Sequence, residues 1–178
     1  MDKKILNIGC GDDTYGTHFV DLYPSRPDVA KCDIDSENLP FEDGFFDEVY
    51  SKDVFEHLTN NRHFVNECAR VLRKGGRIRI VTDNANSWVW AVAGTHLGGY
   101  EKLRGEPTED RHYALFTDWH LKNHLRKAGL KTVSTKYLRD ENRKGVGKVV
   151  QDVLHYILRI TPLRRMAWEK VEIIGEKL

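Results

Sequence analysis

The chain contains two kinds of hydrophobic pattern, short continuous apolar runs and longer stretches with helical spacing. Short runs rich in Ile, Val, Leu and Phe, bounded by glycine, proline or charged residues, are typical of strands buried in a parallel sheet. Seven such runs predict strands at residues 5–8, 18–22, 29–34, 46–51, 77–82, 131–138 and 171–178.

Three stretches repeat their apolar residues on one face and predict amphipathic helices. The first covers residues 60–73 and is expected to end at Gly75-Gly76, which permits a left-handed stop. The second begins after Thr117, a plausible N-cap, and the third covers 148–160. Strands that alternate with helices predict an α/β fold, here a Rossmann-like, mostly parallel seven-stranded sheet flanked by helices. Ligands of such sheets bind beyond the carboxyl ends of the strands.

Composition narrows the class of protein. A length of 178 residues with 40% hydrophobic content fits a single domain, residues 1–178. The net charge of +1 gives no electrostatic reason to expect nucleic acid as a partner. The chain has no apolar run long enough to span a membrane, and MDKK leads into the first strand without a signal peptide. Cysteines at 10, 32 and 68 form no metal motif and no disulfide framework, so we expect no metal and a cytoplasmic location.

The first two strands lie unusually close in sequence. Residues 10–17 alone separate them, whereas a parallel crossover usually needs a dozen residues or more. The first crossover helix is therefore expected to be shortened or missing, which would leave one sheet face thinly covered. Alternating Arg77 and Arg79 in the fifth strand fit this expectation. We predict that Arg79 lies on the thin face, either paired or reachable by solvent.

Polar residues follow the first two strands. The turn Gly9-Cys10-Gly11 would let backbone N–H groups approach a ligand, although it also fits an ordinary tight turn. A carboxylate at Asp21 could accept hydrogen bonds from both hydroxyls of a ribose. It could equally be a turn-forming acid before Pro24. The third and fourth strands are followed by DSENLPF and SKDVFEHL.

Four stretches taken in order resemble a known family: LNIGCG, FVDLYP, DSENLPFEDGFFDEVYSKDVFEHL and RVLRKGGRIRIV. They resemble the class I S-adenosylmethionine-dependent methyltransferases, specifically the small type-11-like group. FTDWHLKNHLRKAGLKTV resembles the family's penultimate helix and the strand after it, so the resemblance extends to about residue 138. It implies a methyltransferase with S-adenosylmethionine as its cofactor.

The resemblance also implies roles for residues at the strand ends. Gly9 and Gly11 would line the methionine and ribose end of the cofactor, and Asp21 would hold the ribose hydroxyls. Asp35 would accept a hydrogen bond from the adenine amine, with the backbone of Ser36 near the ring.

Further positions in the implied cofactor site match or depart from the family pattern. Ser51 would lie near the methionine portion. Asn7 stands where the family often has an acid; it can accept a hydrogen bond but cannot form an ion pair with the cofactor's ammonium. Asp12 and Asp13 replace the usual third glycine, and one of them is a candidate for that ammonium contact.

Transfer to a hydroxyl would benefit from a general base. The candidates are Asp83, directly after the fifth strand, His112 and His57. Asp83 could instead cap the next segment, and His57 is more simply explained by a structural role in the E-H-L turn. Many members of the family have no dedicated base.

The acceptor pocket is expected within residues 83–116, and the expected acceptor is a small molecule or a glycan, methylated at oxygen or nitrogen. The aromatic residues there would form either a lid or the core of a small helical cap. They are Trp88, Trp90, Tyr100 and Tyr113.

Residues 139–170 form a basic helical insertion before the last strand, with eight Lys or Arg against four acids. The insertion could pack on the sheet with a solvated basic face. Alternatively, it could make a peripheral contact with a membrane or an anionic carrier.

Two other functions are compatible with parts of the sequence. A nicotinamide-dependent oxidoreductase also needs a glycine turn and an acid after the second strand, but this chain lacks the third glycine and a helix that could hold a pyrophosphate. A methyltransferase-like protein that binds without catalysis is the second alternative, suggested by Asn7 and by the missing helix.

Overall fold

The computed structural model describes residues 3–93, 101–102, 109–110, 112–139 and 146–178. Its strands are β1 (Ile5–Ile8), β2 (His18–Asp21), β3 (Val29–Lys31), β4 (Phe46–Lys52), β5 (Leu72–Asp83), β6 (Glu101–Lys102), β7 (Glu109–Asp110), β8 (Leu130–Leu138) and β9 (Lys170–Lys177). Its helices are α1 (Asn61–Val71), α2 (Trp88–Ala93), α3 (Asp118–Lys127) and α4 (Val146–Arg159), with single 3₁₀ turns at Phe55–His57 and Arg164–Ala167.

Seven of the strands form one sheet in the order β3-β2-β1-β4-β5-β9-β8. The first five strands in this order run parallel, and β9 is antiparallel to both of its neighbours. The predicted Rossmann-like, mostly parallel sheet is therefore confirmed, with one antiparallel hairpin at its β8 edge. The strands β6 and β7 pair separately as a short antiparallel ribbon.

The predicted stop of the first helix was wrong. Helix α1 ends at Val71, and β5 begins at the next residue, so the glycine pair lies inside the strand. Gly75 has φ of 71°, and a Cβ atom at Gly76 would lie 2.9 Å from the carbonyl oxygen of Arg73. The two glycines therefore permit the irregular backbone at the start of β5, where the pairing of β5 with β4 shifts register.

The third strand is also shorter than predicted, since β3 ends at Lys31. Beyond it the chain turns, and the carbonyl of Asp33 accepts hydrogen bonds from the N–H groups of Ser36 and Glu37 at 3.1 and 2.7 Å. β3 is an edge strand of the described sheet. It pairs with β2, and no described strand pairs with its outer side.

One face of the sheet carries the hydrophobic core. Helices α1 and α3 pack there against each other and against β5, β8 and β9. Thr117 caps α3 as predicted, because its hydroxyl accepts from the N–H of His120 in a capping box. The buried cluster includes Leu6, Ile8, Val49, Phe64, Cys68, Ile78, Ile80, Leu121, Leu125, Val171 and Ile173.

The opposite face is covered by a loop where the family has a crossover helix. Residues 9–17 are all described and contain no helix. Tyr15 of this loop packs edge-on against Tyr50 at 4.9 Å, and its hydroxyl donates to Glu48 at 2.8 Å. The expectation for Arg79 is confirmed: its side chain is 36% exposed, and Nε donates to Glu172 at 2.6 Å.

The predicted helix at 148–160 corresponds to α4, and residues 140–145 of the basic insertion lie outside the described residues. Among the helices of the described ranges, none combines the length and the apolar character that a bilayer span requires.

Candidate functional site

The glycine turn follows β1 and adopts a left-handed backbone geometry. Gly9 and Gly11 have φ of 64° and 53°, where residues with a Cβ atom are disfavoured. A Cβ atom at Gly9 would also lie 2.2 Å from Cγ2 of Val54, closer than two carbon atoms can approach. Glycine at position 9 is thus required by the turn and by the segment that follows β4.

Asp21 lies directly against this turn, at the carboxyl end of the neighbouring strand β2. Its Oδ2 accepts a hydrogen bond from the N–H of Gly11 at 2.8 Å, and Oδ1 accepts from the N–H of Tyr23 at 2.8 Å. Each carboxylate oxygen can accept a further hydrogen bond. The two backbone donors therefore fix the carboxylate while leaving it capacity to bind a ligand.

Asp35 ties the segment after β3 to the start of α1. Its carboxylate accepts hydrogen bonds from the hydroxyl of Thr59 and from the N–H of Asn60, the latter at 2.7 Å. Ser36 is exposed beside it, and its hydroxyl donates to Asp33 at 2.8 Å. These contacts give Asp35 a structural role that is independent of any ligand.

Ser51 and Asn7 are both buried, at 1% exposure. Nδ2 of Asn7 donates to the carbonyl of Tyr15 at 3.0 Å, so Asn7 holds the loop that replaces the crossover helix. The hydroxyl of Ser51, in β4 beside the glycine turn, has no hydrogen-bond partner among the described residues. A buried hydroxyl without a partner is costly, and a polar ligand would satisfy it.

A lysine and two aspartates join the ends of three central strands. Nζ of Lys170, at the start of β9, lies 2.5 Å from Oδ1 of Asp53 and 3.4 Å from Oδ1 of Asp83. Burial lowers the pKa of Lys170, but the carboxylates of Asp53 and Asp83 raise it by more, so the ammonium stays charged. Asp53 follows β4 with φ of 56°, the single non-glycine residue with positive φ among the described residues.

All three candidates for a general base meet at this cluster. Nδ1 of His112 lies 3.6 Å from Oδ2 of Asp83, and the rings of His57 and His112 pack edge-on at 4.6 Å. The side chains of Asp83 and His112 are about 15% and 13% exposed, so both are largely shielded from water. The sequence indicated each residue separately but could not predict that they touch.

Glu56 is the main site residue that sequence reasoning missed. Its side chain is buried beside this cluster and accepts a hydrogen bond from the hydroxyl of Thr82 at 2.7 Å. Burial raises the pKa of Glu56 to about 7, and the nearby charge of Asp83 adds to the rise. An acid within an E-H-L turn gave no sign that it would be enclosed. Lys170 was missed too, because 117 residues separate it from Asp53.

Three residues here could hold a metal ion. Glu56, His57 and His112 each offer one ligand atom, and these atoms lie within 4.8 Å of one another. Carboxylate and imidazole are ordinary ligands of divalent metals. The expectation of a metal-free site therefore stays a prediction.

Two aromatic residues of the expected acceptor region, Trp90 and Tyr113, lie near this cluster. Nε1 of Trp90, in α2, donates to the carbonyl of Asn84 at 3.0 Å, and its ring lies 6.1 Å from that of His112. Tyr113 is 62% exposed next to the cluster. Tyr100 lies outside the described residues.

Part of the chain matches a known protein family. Residues 20–80 match the methyltransferase domain family. A tocopherol O-methyltransferase of Arabidopsis thaliana is 50% identical over 104 residues, which cover 45% of this chain and 30% of that protein. A sarcosine/dimethylglycine N-methyltransferase of Halorhodospira halochloris is 43% identical over 55 residues, covering 31% of this chain and 19% of that protein. The chain thus spans less than a third of the length of these two relatives.

The whole sheet is also similar to a solved structure. A crystal structure of an S-adenosylmethionine-dependent methyltransferase from Archaeoglobus fulgidus superposes with a TM-score of 0.64 at 17% identity, covering 98% of this chain and 86% of that one. This likeness extends the shared fold beyond the matched domain. Residues 20–80 thus match the methyltransferase domain family, and nearly the whole chain shares the fold of a solved S-adenosylmethionine-dependent methyltransferase.

The matched family and the shared fold imply S-adenosylmethionine as the cofactor. The strand ends are compatible with such a ligand on two structural grounds. Asp21 is held at the glycine turn with acceptor capacity remaining, and the buried Ser51 hydroxyl has no partner among the described residues.

Proposed function

We propose that the protein transfers a methyl group from S-adenosylmethionine to an oxygen or nitrogen atom of a small-molecule or saccharide acceptor. The observation that carries this proposal is a continuous set of contacts from the glycine turn to a basic dyad. Gly9 packs on Val54, the preceding residue Asp53 contacts Lys170, and Lys170 contacts Asp83 beside His112. The cofactor end and the acceptor end of the site are thereby neighbours.

The cofactor would be held by residues at the ends of the first four strands. When bound, S-adenosylmethionine supplies a methyl group activated by a sulfonium charge. Asp21 would accept hydrogen bonds from the ribose hydroxyls, and the Ser51 hydroxyl would gain a partner in the methionine portion. The proposed set is Asn7, Gly9, Gly11, Asp21, Asp35, Ser36 and Ser51, with Asn7 acting through the loop that it holds.

For a hydroxyl acceptor, Asp83 and His112 would act together. The carboxylate of Asp83 faces Nδ1 of His112 and favours the tautomer that carries its proton there. Nε2 is then the basic nitrogen, and it would accept the acceptor's proton as the new bond to carbon forms. Trp90 and α2 would help to exclude water from the reacting groups.

The acceptor class rests on the relatives and on the exposed aromatic ring of Tyr113. The relatives are named for O-methylation of tocopherol and N-methylation of sarcosine or dimethylglycine, so the family includes both acceptor atoms. An exposed ring beside a base suits stacking on a saccharide. The three cysteines are buried and form no disulfide among the described residues, which supports a reducing, cytoplasmic setting, and no nucleic acid is expected.

The proposal is tested by formation of S-adenosylhomocysteine with a panel of free sugars, sugar nucleotides, phenols and small amines. With an active hydroxyl acceptor, His112→Asn is expected to lower kcat by about a hundredfold, because general bases contribute at least that much. His120→Asn, an exposed histidine of α3, is the matched control and should leave kcat unchanged.

A chelator separates the two possible uses of His112. If EDTA leaves activity intact, the base is supported; if EDTA abolishes activity and a divalent metal restores it, His112 serves as a ligand and the proposed base is wrong. Cofactor binding without turnover of any acceptor would favour the non-catalytic alternative.

A further inference from the structure

Helix α4 exposes an apolar stripe. Its members recur at positions i, i+1, i+4, i+7, i+8 and i+11, which is one face of a helix. Their exposed fractions lie between 47% and 74%. We refer to the stripe as the α4 apolar face; it consists of Val149, Val150, Val153, Tyr156 and Ile157 of the helix and of Ile160 directly after it.

The opposite side of α4 is anchored to the protein, so the helix cannot turn the apolar face inward. Gln151 and His155 are buried. A ring nitrogen of His155 lies 2.9 Å from the carbonyl of Ala167, and the ring packs edge-on against Trp168 at 4.6 Å. An ion pair between Asp152 and Arg139 fixes the helix against the end of β8.

The surface beside the apolar face is positively charged. Lys148 and Arg159 are exposed and lie eleven residues apart, which is about three helical turns, so they share one flank of the helix. Arg164 and Arg165 follow in the next turn and are exposed too. Asp152, the one acid within α4, is already paired with Arg139.

We propose that α4 docks on an anionic lipid bilayer, with the α4 apolar face among the acyl chains and the flanking basic side chains on lipid phosphates. Helices that bind in the membrane interface combine these two features, and each strengthens the other. Pairing between two copies of the chain explains the apolar face less well. A two-fold contact between antiparallel copies of α4 would bring the same basic flanks together.

Docking would also orient the candidate site. The side-chain amide of Asn84, directly after Asp83, donates to the carbonyls of Arg165 and Trp168 at 3.0 and 2.8 Å. The segment after α4 is thereby tied to the end of β5 that carries the site. If the proposed methyl transfer holds, the natural acceptor is a membrane-anchored molecule with an exposed hydroxyl; the docking itself does not depend on that function.

The test is cosedimentation of the full chain with vesicles of phosphatidylcholine alone or mixed with phosphatidylglycerol. We expect binding to the mixed vesicles that weakens with salt and is reduced about tenfold or more by Ile157→Asp, since an isoleucine that would insert among the acyl chains is replaced by a charge. Lys148→Glu combined with Arg159→Glu should reduce binding to the mixed vesicles as well. Val133→Asp, at an exposed valine of β8, is the matched control and should bind like the wild type.

Two results would overturn the docking. The first is a vesicle result: either the wild type fails to bind mixed vesicles, or Ile157→Asp binds them as well as the wild type. The second is a sedimentation-velocity result: the wild type is a dimer and Ile157→Asp is a monomer, which would assign the α4 apolar face to a second copy. Turnover of a soluble acceptor by Ile157→Asp would remain unchanged, so failure of docking is distinguishable from failure of methyl transfer.

Discussion

At the scale of single residues, Glu56 is a buried carboxyl group whose pKa is shifted. Its pKa is raised to about 7, above that of an exposed carboxyl group, because burial and the charge of Asp83 disfavour its ionised form. The folded state therefore holds this proton more tightly than the unfolded chain. The free energy of unfolding from this group is highest below the unfolded pKa and falls as pH rises through the interval to about 7.

Glu56→Gln should remove this dependence, since glutamine stays neutral and can still accept the hydrogen bond from Thr82. Urea unfolding at pH 5 and pH 8 measures it. The variant should lose less stability than the wild type between these pH values, because it has no carboxyl group to ionise at this position. Glu42→Gln, at an exposed position, is the control. Equal losses in all three proteins would mean that Glu56 ionises normally.

Single residues also mark where sequence reasoning reached its limit in the candidate site. Asp83, His112 and His57 were identifiable because each is a chemically capable side chain near a strand end. Glu56 and Lys170 were not, because their importance comes from enclosure and from contacts across long separations in sequence. Burial of a charge depends on packing that no local pattern reports.

At the scale of elements, the loop at residues 9–17 replaces a helix with polar and aromatic contacts. Arg79 links this network through its hydrogen bond to Glu172, whose side chain is only 4% exposed, and stacks over the ring of Tyr50 at 5.1 Å. Burial lowers the pKa of Arg79, but Glu172 more than compensates. The thin face is therefore held by an ion pair where the opposite face is held by helices.

Arg79→Ala should destabilise the protein by about 2 kcal/mol, because it leaves a buried carboxylate with Lys136 at 3.9 Å as its nearest remaining cation among the described ion pairs. Arg77→Ala, two residues earlier, removes a pair with Glu176 that is largely exposed and should cost under about 1 kcal/mol. Urea unfolding at pH 7 compares them. Equal losses would show that the thin face does not depend on Arg79.

The same scale explains which elements were predictable. The short strands and α3 followed from apolar runs and from a capping residue, which are local signals. The end of α1 did not, because β5 starts immediately and absorbs the glycine pair into its first residues. Pairing with β4 decided that boundary, and pairing is a tertiary effect.

At the scale of the whole molecule, the sheet order places the carboxyl ends of β2, β1, β4 and β5 side by side. Because β9 is antiparallel to β5, the start of β9 lies at the same edge. That arrangement differs from the all-parallel order of dinucleotide-binding sheets and agrees with the fold shared with a solved methyltransferase structure. Alternation of strands and helices predicted the fold class. The helix that became α4 was also predictable from its apolar spacing, but the outward orientation of its apolar face depends on the buried Gln151 and His155.

The most direct measurement of the central claim is calorimetric titration of the protein with S-adenosylmethionine, S-adenosylhomocysteine and NADH. We expect micromolar binding of both adenosyl ligands and none of NADH. Asp21→Ala should weaken binding at least tenfold, because it removes the carboxylate at the glycine turn, while Asp28→Ala should bind like the wild type. Thermal melting of each variant confirms that it is folded. Absence of adenosyl binding by the wild type, or full binding by a folded Asp21→Ala variant, would contradict the assigned site.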